Sequence, residues 1–393
     1  MSEKKVPELR FKGYTEDWEQ RKLTDVANYR NGKAHEQDID KEGQYIVVNS
    51  KFVSTNGLVK KYSNVLIEPL QAGEIAFVLS DVPNGKAIAR TFLINENNKY
   101  SLNQRIAGIT PHTKADSYFL SILMNRNNYF LKYDNGVGQT NLSKYEVENF
   151  TEHYPVYEEQ VKIGSFFKQV DDTIALHQEK LEKLKQLKKG YLQVMFPQKG
   201  EKVPQLRFAN FYQEWEQHKL GESINFRNGR AYKQEELLDE GKYRVLRVGN
   251  FNTNDRWYYS NLELDGNKYA SQGDLLYLWA TSFGPKIWNE ETVIYHYHIW
   301  KLEIIDTNID KQYLYTYLET DKERIQQTTN GTTMFHITKG NMEEREFQYP
   351  KEITEQEKIG YIIQQLDNVT NLYYEKLEKI KKLKKFYLQS LFV

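Results

Sequence analysis

The sequence contains no cysteine, which excludes disulfides and cysteine-ligated zinc and fits a reducing cytoplasm. It has no apolar run of about 18 residues, so no membrane-spanning helix is expected. Its first residues, MSEKKVPELRF, are charged and lack the apolar stretch of a signal peptide. It also lacks an excess of either charge, with 54 basic and 54 acidic residues. A protein that neutralises phosphates unaided is expected to be basic. The balance therefore either speaks against nucleic acid or assigns much of that neutralisation to a partner. Catalytic signatures are missing too. Asn84-Gly-Lys86 looks superficially like a phosphate loop, but Ser80 and Ala87 stand where GxxxxGK[ST] needs glycine and Ser/Thr. No G-x-G-x-x-G, H-E-x-x-H or G-x-S-x-G occurs. His296 and His298 fall on one face of a strand candidate, 294–300. Two imidazoles without a third ligand read as ordinary strand residues, not as a metal site. Carboxylates are plentiful, but none forms an evident catalytic pair.

What is present is a core and a repeat. Apolar residues make up 39% and aromatic residues 14% of the chain, enough for packed domains. A length of 393 residues is that of two or three domains. The 29 tyrosines fit either stacking and interface roles or a compositional bias of the source. Residues 159–196, EQVKIGSFFKQVDDTIALHQEKLEKLKQLKKGYLQVMF, return without a gap as 355–392, EQEKIGYIIQQLDNVTNLYYEKLEKIKKLKKFYLQSLF, with 21 of 38 positions identical. Steps of four and three from Ile163 reach Phe167, Val170, Ile174, His177, Leu181, Leu184, Lys188, Tyr191 and Met195. The same ladder from Ile359 reaches Ile363, Leu366, Thr370, Tyr373, Leu377, Ile380, Lys384, Tyr387 and Leu391. Leu187 and Leu383 sit one position before the lysine rungs. This period near 3.5 marks a coiled-coil seam. One helix cannot bury its stripe alone, so the two copies are expected to pair, antiparallel. Each rod is about 57 Å long at ~1.5 Å per residue. Gly164 and Gly360 recur in the first turns and hint at close backbone approach, since an interior glycine costs about 1 kcal/mol. Thr354-Glu-Gln-Glu357 reads as a capping box opening the second helix. The first copy has none.

The repeat extends beyond the helices. Val6-Pro-Glu-Leu-Arg-Phe11 returns as Val203-Pro-Gln-Leu-Arg-Phe208, WEQRKL at 18–23 as WEQHKL at 215–220, and Arg30-Asn-Gly-Lys33 as Arg227-Asn-Gly-Arg230. Gly73-Glu-Ile-Ala-Phe77 faces Gly273-Asp-Leu-Leu-Tyr277. The middles, roughly 45–135 and 245–330, diverge. They read as β-rich, with strands at 45–48, 74–79, 243–248 and 274–279 and short helices at 118–124 and 313–318. The organisation is α+β: a segment 1–16, a globule 17–156, a long helix 157–196, a linker 197–213, a second globule 214–352 and a second long helix 353–393.

Candidate binding residues lie on turns. Arg30, Asn31 and Lys33, with Arg227, Asn228 and Arg230, combine turn geometry with side chains that bond bases or phosphates. The alternative is a hairpin turn with solvated charges. Gln139, Thr140 and Asn141, with Thr332, Thr333 and His336, lie on glycine-bearing loops, which either carry recognition or are plain surface. Ser80, Asn84 and Lys86 correspond to Thr281, Ser282 and Lys286 in post-strand loops. The lysine runs 180–189 and 376–385 read as solvated helix faces.

Two divergent globules alternate with near-identical helices, each reached through Pro155, Glu159-Gln160 and Ile163-Gly164 or Pro350, Glu355-Gln356 and Ile359-Gly360. This pattern, over essentially the whole chain, resembles the specificity subunit of type I restriction–modification systems. The resemblance implies α/β target-recognition domains, each reading half of an interrupted site in double-stranded DNA. It implies that the helices act as spacer and as docking surface for methyltransferase subunits, two of which are expected. The seam residues Ile163, Phe167, Val170, Ile174, Leu181, Leu184, Tyr191, Ile359, Ile363, Leu366, Leu377, Ile380 and Tyr387 belong to that region. S-adenosylmethionine would bind the methyltransferase subunits, which modify adenine at N6. ATP and magnesium would bind restriction subunits that join through them. The chain itself would be non-catalytic, bind no cofactor or metal, and work in the cytoplasm, on the nucleoid when bound to DNA. A spacer of this length implies that about four residues added to both helices widen the gap by about two base pairs. The divergent middles imply an asymmetric site. The rival readings are a coiled-coil scaffold whose globules bind proteins, and a self-contained methyltransferase or nuclease.

Overall fold

The computed structural model describes residues 6–83, 85–198, 200–251, 254–280, 283–328 and 337–392, with the side chains of all but 326–328. The chain divides into two compact units, Met1–Gln178 with Glu375–Val393, and Glu179–Tyr374. The long helices, Tyr157–Val194 and Ile353–Ser390, are thus shared between the units and do not form bodies of their own, as a linear division of the chain would have them. Each unit contains one globule, the N-terminal part of the helix that follows it, and the C-terminal part of the other helix.

Within each unit the two helix segments run antiparallel. In the first, Phe166 packs edge-on against Tyr387 at 5.1 Å between ring centroids, while Lys384 pairs with Asp171. In the second, Lys188 Nζ donates to Asp367 Oδ1 at 2.7 Å and Glu319 Oε2 at 2.6 Å, and Lys180 lies over Tyr373 at 4.8 Å. Ile163, Phe167, Leu181, Ile359, Ile363 and Leu377 are buried, and Val170, Ile174, Leu184, Tyr191, Leu366, Ile380 and Tyr387 are half-buried. The lysine rungs keep to the seam, and Leu187 and Leu383 beside them are exposed. A lysine is tolerated there because each ammonium meets a carboxylate. Burial opposes the charge of Lys188, but Glu319 and Asp367 outweigh it and hold the pKa above its ordinary value.

Each globule stacks two sheets on its helices. In the first unit an antiparallel sheet runs in the order 27–31, 106–111, 75–78, 91–93. Its central strand, Ile75–Val78, is buried throughout. Ile75 and Phe77 face the helices, while Ala76 and Val78 face a second core under the outer sheet. That is why the strand reads as an unbroken apolar run. The outer sheet, 62–63, 45–48, 100–102, has one parallel pair, 45–48 with 100–102. The second unit repeats this with 224–228, 299–304, 275–278, 284–287 inside and 258–260, 243–246, 293–295, 269–270 outside. Its helix at Lys311–Thr328 is longer than the sequence candidate 313–318.

The repeated short motifs form latches. Glu19–Lys22 pairs antiparallel with Thr151–Tyr154, the strand just before the first long helix, and Glu216–Lys219 pairs likewise with Glu346–Tyr349. Arg10 Nε and Nη2 each donate to Glu159 at 2.8 Å, and Arg207 repeats this fork with Glu355 at 2.7 and 2.8 Å. Gln160 donates to the Pro155 carbonyl at 2.9 Å and accepts from the Asp116 amide; Gln356 bonds Pro350 and Asp310 in the same way. The Leu9 amide donates to the Ser390 carbonyl as the Leu206 amide does to Val194, closing both helix C-termini. The glycine at 164 sits where a Cβ would lie 2.2 Å from Asp116 Oδ1, and that at 360 where it would lie 3.0 Å from Gln312 and Tyr313 backbone. The capping box expected at Thr354 is not formed. The helix begins at Ile353, and the amides of Glu355 and Gln356 bond to the Glu352 carbonyl. The first turn is thus set two residues earlier than a cap at Thr354 would place it, with Glu355 and Gln356 drawn inward to Arg207 and Pro350.

Candidate nucleic-acid interface

The Arg-Asn-Gly motif ends the first strand of each inner sheet. Its glycine permits a close crossing: a Cβ at Gly32 would lie 2.0 Å from the Asn103 carbonyl oxygen, and one at Gly229 would lie 2.4 Å from that of His296. The basic side chains around it are engaged internally. Arg30 donates to Glu68 at 2.6 Å, to Glu74 at 2.7 Å and to the Pro69 carbonyl at 2.9 Å. Lys33 pairs with Glu68 at 2.8 Å, and this bond, with Arg30, holds that carboxyl below its usual range. Asn31 is exposed and accepts from Tyr29 Oη at 2.5 Å. Arg227 donates to Glu303 at 2.7 Å. Arg230 forks onto Glu236 at 2.7 and 3.1 Å, depressing that carboxyl. Asn228 is exposed, and its carbonyl accepts from Lys268.

The second group of candidates converges in the first unit. A two-residue antiparallel pairing sets Asn141 opposite Ser80 and Thr140 opposite Asp81. Gln139 Nε2 donates to Ser80 Oγ at 2.6 Å, and Thr140 Oγ1 to Asp134 at 3.1 Å. Asp81 shapes the neighbouring loop by accepting from the amides of Val82, Ala87 and Ile88 at 2.9, 2.6 and 3.1 Å. The loop ends at Ala89, whose φ of 56° is left-handed and whose carbonyl accepts from Arg126, also left-handed at 57°. Lys86 is exposed on this loop, and exposed Val82 and Val137 flank the pairing. Asn84, Thr281, Ser282, Thr332, Thr333 and His336 lie outside the described residues. Lys286 belongs not to a loop but to the strand Gly284–Ile287, opposite Leu276; it is exposed.

Sequence reasoning missed an arginine–aromatic surface in the second unit. The strand expected at 294–300 is two strands, Val293–Tyr295 and Ile299–Ile304, with His296, Tyr297 and His298 turning between them. The parallel bridge between Arg230 and His296 forces the turn there. Trp279 lies 4.9 Å from His298 and 6.1 Å from the exposed Tyr297 between ring centroids. Burial, with His298 and Arg247 nearby, pushes His296 down to about 4, so the ring is neutral at physiological pH. Beside it, Tyr258 carries two guanidinium groups, Arg247 at 4.2 Å and Arg256 at 4.9 Å from the ring centre. The signal was the interleaving of Arg244, Arg247 and Arg256 with Trp257, Tyr258 and Tyr259 inside one divergent window. Among the described residues no group of three or more His, Cys, Asp or Glu is placed to hold a metal, and no helix is long and apolar enough to cross a membrane. A cavity of about 360 Å³ in the second unit is lined by Gln193, Gln198, Thr320, Glu323 and Arg324 at the end of the first long helix, and by none of the candidate binding residues.

Two divergent two-sheet globules on one repeated helical frame define a duplicated DNA-specificity architecture. The profile of the Type I restriction modification DNA specificity domain matches twice, at residues 15–186 and 212–382. The chain belongs to this family, as a type I restriction–modification specificity subunit. It is 23% identical over 94% of its length, and 91% of the relative's, to the type I restriction enzyme MjaVIII specificity subunit of Methanocaldococcus jannaschii. It is 22% identical to the putative MjaX specificity subunit of the same organism, over the same shares of each chain. Its fold is similar to the crystal structure of the type I restriction–modification S subunit from M. genitalium, with a TM-score of 0.66, 16% identity and 99% of each chain covered. A second solved structure, described as showing complex assembly and conformational transition of the type I system, gives a TM-score of 0.54 at 16% identity, covering 94% of this chain and 96% of that one.

Proposed function

We propose that each globule reads one half of an asymmetric, interrupted site in double-stranded DNA, and that the long helices space the readers and dock two methyltransferase subunits. The observation that carries this reading is a constant frame with unlike reading surfaces. The latches, the Arg-Asn-Gly crossing and the helix seam recur. The side chains that the globules present do not: the second unit stacks Arg247 and Arg256 on Tyr258, while the first carries the pairing of Ser80–Asp81 with Thr140–Asn141. Off the seam, exposed Leu176, Leu383 and Phe386 in the first unit and Leu187, Val369 and Leu372 in the second offer apolar area to a partner helix or sheet. On this reading the chain catalyses nothing itself. S-adenosylmethionine belongs to the methyltransferase subunits, and ATP and magnesium to restriction subunits that join through them. Partners that clamp the DNA backbone account for the zero net charge.

The test is a genome-wide map of modified adenines with and without this gene. Loss of modification at one bipartite, asymmetric motif is the expected result. An unchanged map, with an active methyltransferase present, refutes DNA reading and favours a protein-binding scaffold.

A further inference from the structure

We infer that Arg247 reads a guanine in the half-site bound by the second unit, with Tyr258 holding its guanidinium group and Asn250 positioning the turn that carries it; this rests on the DNA-reading function proposed above. Arg247 directly follows the outer-sheet strand Tyr243–Leu246. Its neighbours of the same charge are already neutralised: Arg227 by Glu303, Arg230 by Glu236, Arg244 by Glu290 and Glu291, and Arg256 by Asp239. Arg247 differs. Among the described residues its guanidinium has no carboxylate partner and makes no hydrogen bond, and its Nε is buried without an acceptor. A half-buried cation held in that state is costly unless an acceptor arrives from outside.

The geometry is preorganised. The guanidinium lies 4.2 Å from the Tyr258 ring centre. Asn250 accepts from the Arg247 amide at 3.0 Å and donates to the carbonyls of Asn254 and Arg256 at 3.3 and 3.1 Å, tying both sides of the turn together. A planar fork matches the paired O6 and N7 acceptors of guanine in the major groove. A phosphate would also match, but phosphate contacts carry no sequence information and suit the constant frame. Arg247 instead occupies a divergent position. In the first unit the residue after the corresponding strand, Tyr45–Val48, is Asn49, whose Oδ1 is spent accepting from the Phe52 amide at 2.9 Å.

The experiment maps the methylated motif of the full chain in complex with its methyltransferase subunits, for wild type, Arg247→Gln, Arg247→Lys and Asn250→Ala. The wild-type map tests DNA reading by itself, and a bipartite motif must appear. Arg247→Gln should then lose guanine preference at one position of one half-site, by roughly 10- to 100-fold in discrimination, while the other half-site stays fixed and reports a folded complex. Arg247→Lys, which keeps the charge but not the fork, should relax the same position. Asn250→Ala should relax it less. A wild-type half-site without guanine overturns the inference. So does an unchanged motif in both Arg247 variants. A uniform loss in Arg247→Gln that is fully restored by lysine overturns it in favour of a phosphate contact.

Discussion

Replacing Arg10 by methionine should release the first unit's N-terminal arm more than any other single change in its latch. The fork between Arg10 and Glu159 has two bonds of 2.8 Å, with the Glu159 side chain 0% and that of Arg10 14% exposed. Removing one member of such a pair costs about 3–5 kcal/mol, because the other charge is left without a partner. The two single variants differ in what they leave. Glu159→Gln strands a guanidinium that still touches solvent, and belongs near ~3 kcal/mol. Arg10→Met strands a carboxylate with no solvent at all, and belongs near ~5 kcal/mol. The double variant Arg10→Met/Glu159→Leu strands nothing and should return to within ~1–2 kcal/mol of wild type. Global unfolding of a two-unit chain is not a two-state process, so the local readout is amide hydrogen exchange at Leu9, whose N–H is bound to the Ser390 carbonyl. These costs correspond to exchange faster by about 150-fold and about 4,000-fold. Single variants that behave like an exposed pair, below ~1 kcal/mol, refute the argument. A double variant no better protected than Arg10→Met refutes it too.

Gly164→Ala should destabilise by about 1–2 kcal/mol despite alanine's better helix propensity, because its Cβ meets the Asp116 cap. Gly190→Ala, with nothing within 4 Å, should stabilise by up to ~1 kcal/mol; thermal melts of the two variants give opposite signs or the close-approach argument fails. The second unit should lose stability as pH falls from about 6.5 towards 4, since the unfolded His296 takes up a proton in that window and the folded one does not. For a half-buried ring the loss is on the order of 1 kcal/mol after solvent screening; His296→Asn should remove that part of the pH slope in urea titrations. Four residues added to both long helices should widen the unread gap of the methylated motif by about two base pairs. Seven residues, which keep the seam in register, should widen it by about three. An unchanged gap rules out the spacer.

Local periodicity made much of the frame legible. A 3.5-residue ladder is written in the helix itself, and strands such as Tyr45–Val48 are bounded by their own turn residues. Glycine pairs at 164 and 360 likewise announce a close approach without naming the neighbour. What stayed hidden depends on partners far along the chain. Arg30 resembles a DNA ligand until Glu68 and Glu74 are folded onto it. Lys188 looks misplaced on an apolar stripe until Asp367 arrives. His296 and His298 alternate like strand residues, and only the crossing at Arg230 makes them a turn. The merit of Arg247 lies in lacking a partner that its neighbours have, which no single stretch of sequence reveals.

The Leu9–Ser390 and Leu206–Val194 bonds are the same joint made twice, once between segments distant in the chain and once between the first long helix and the linker that follows it. A chain opened in the linker and joined across the other joint would keep every latch, so either globule could come first along the chain. The same logic lets one half stand in for both. A chain with a single globule and a single long helix lacks only the helix segment that a second copy of itself carries, and two such copies would complete each other's helix pairs.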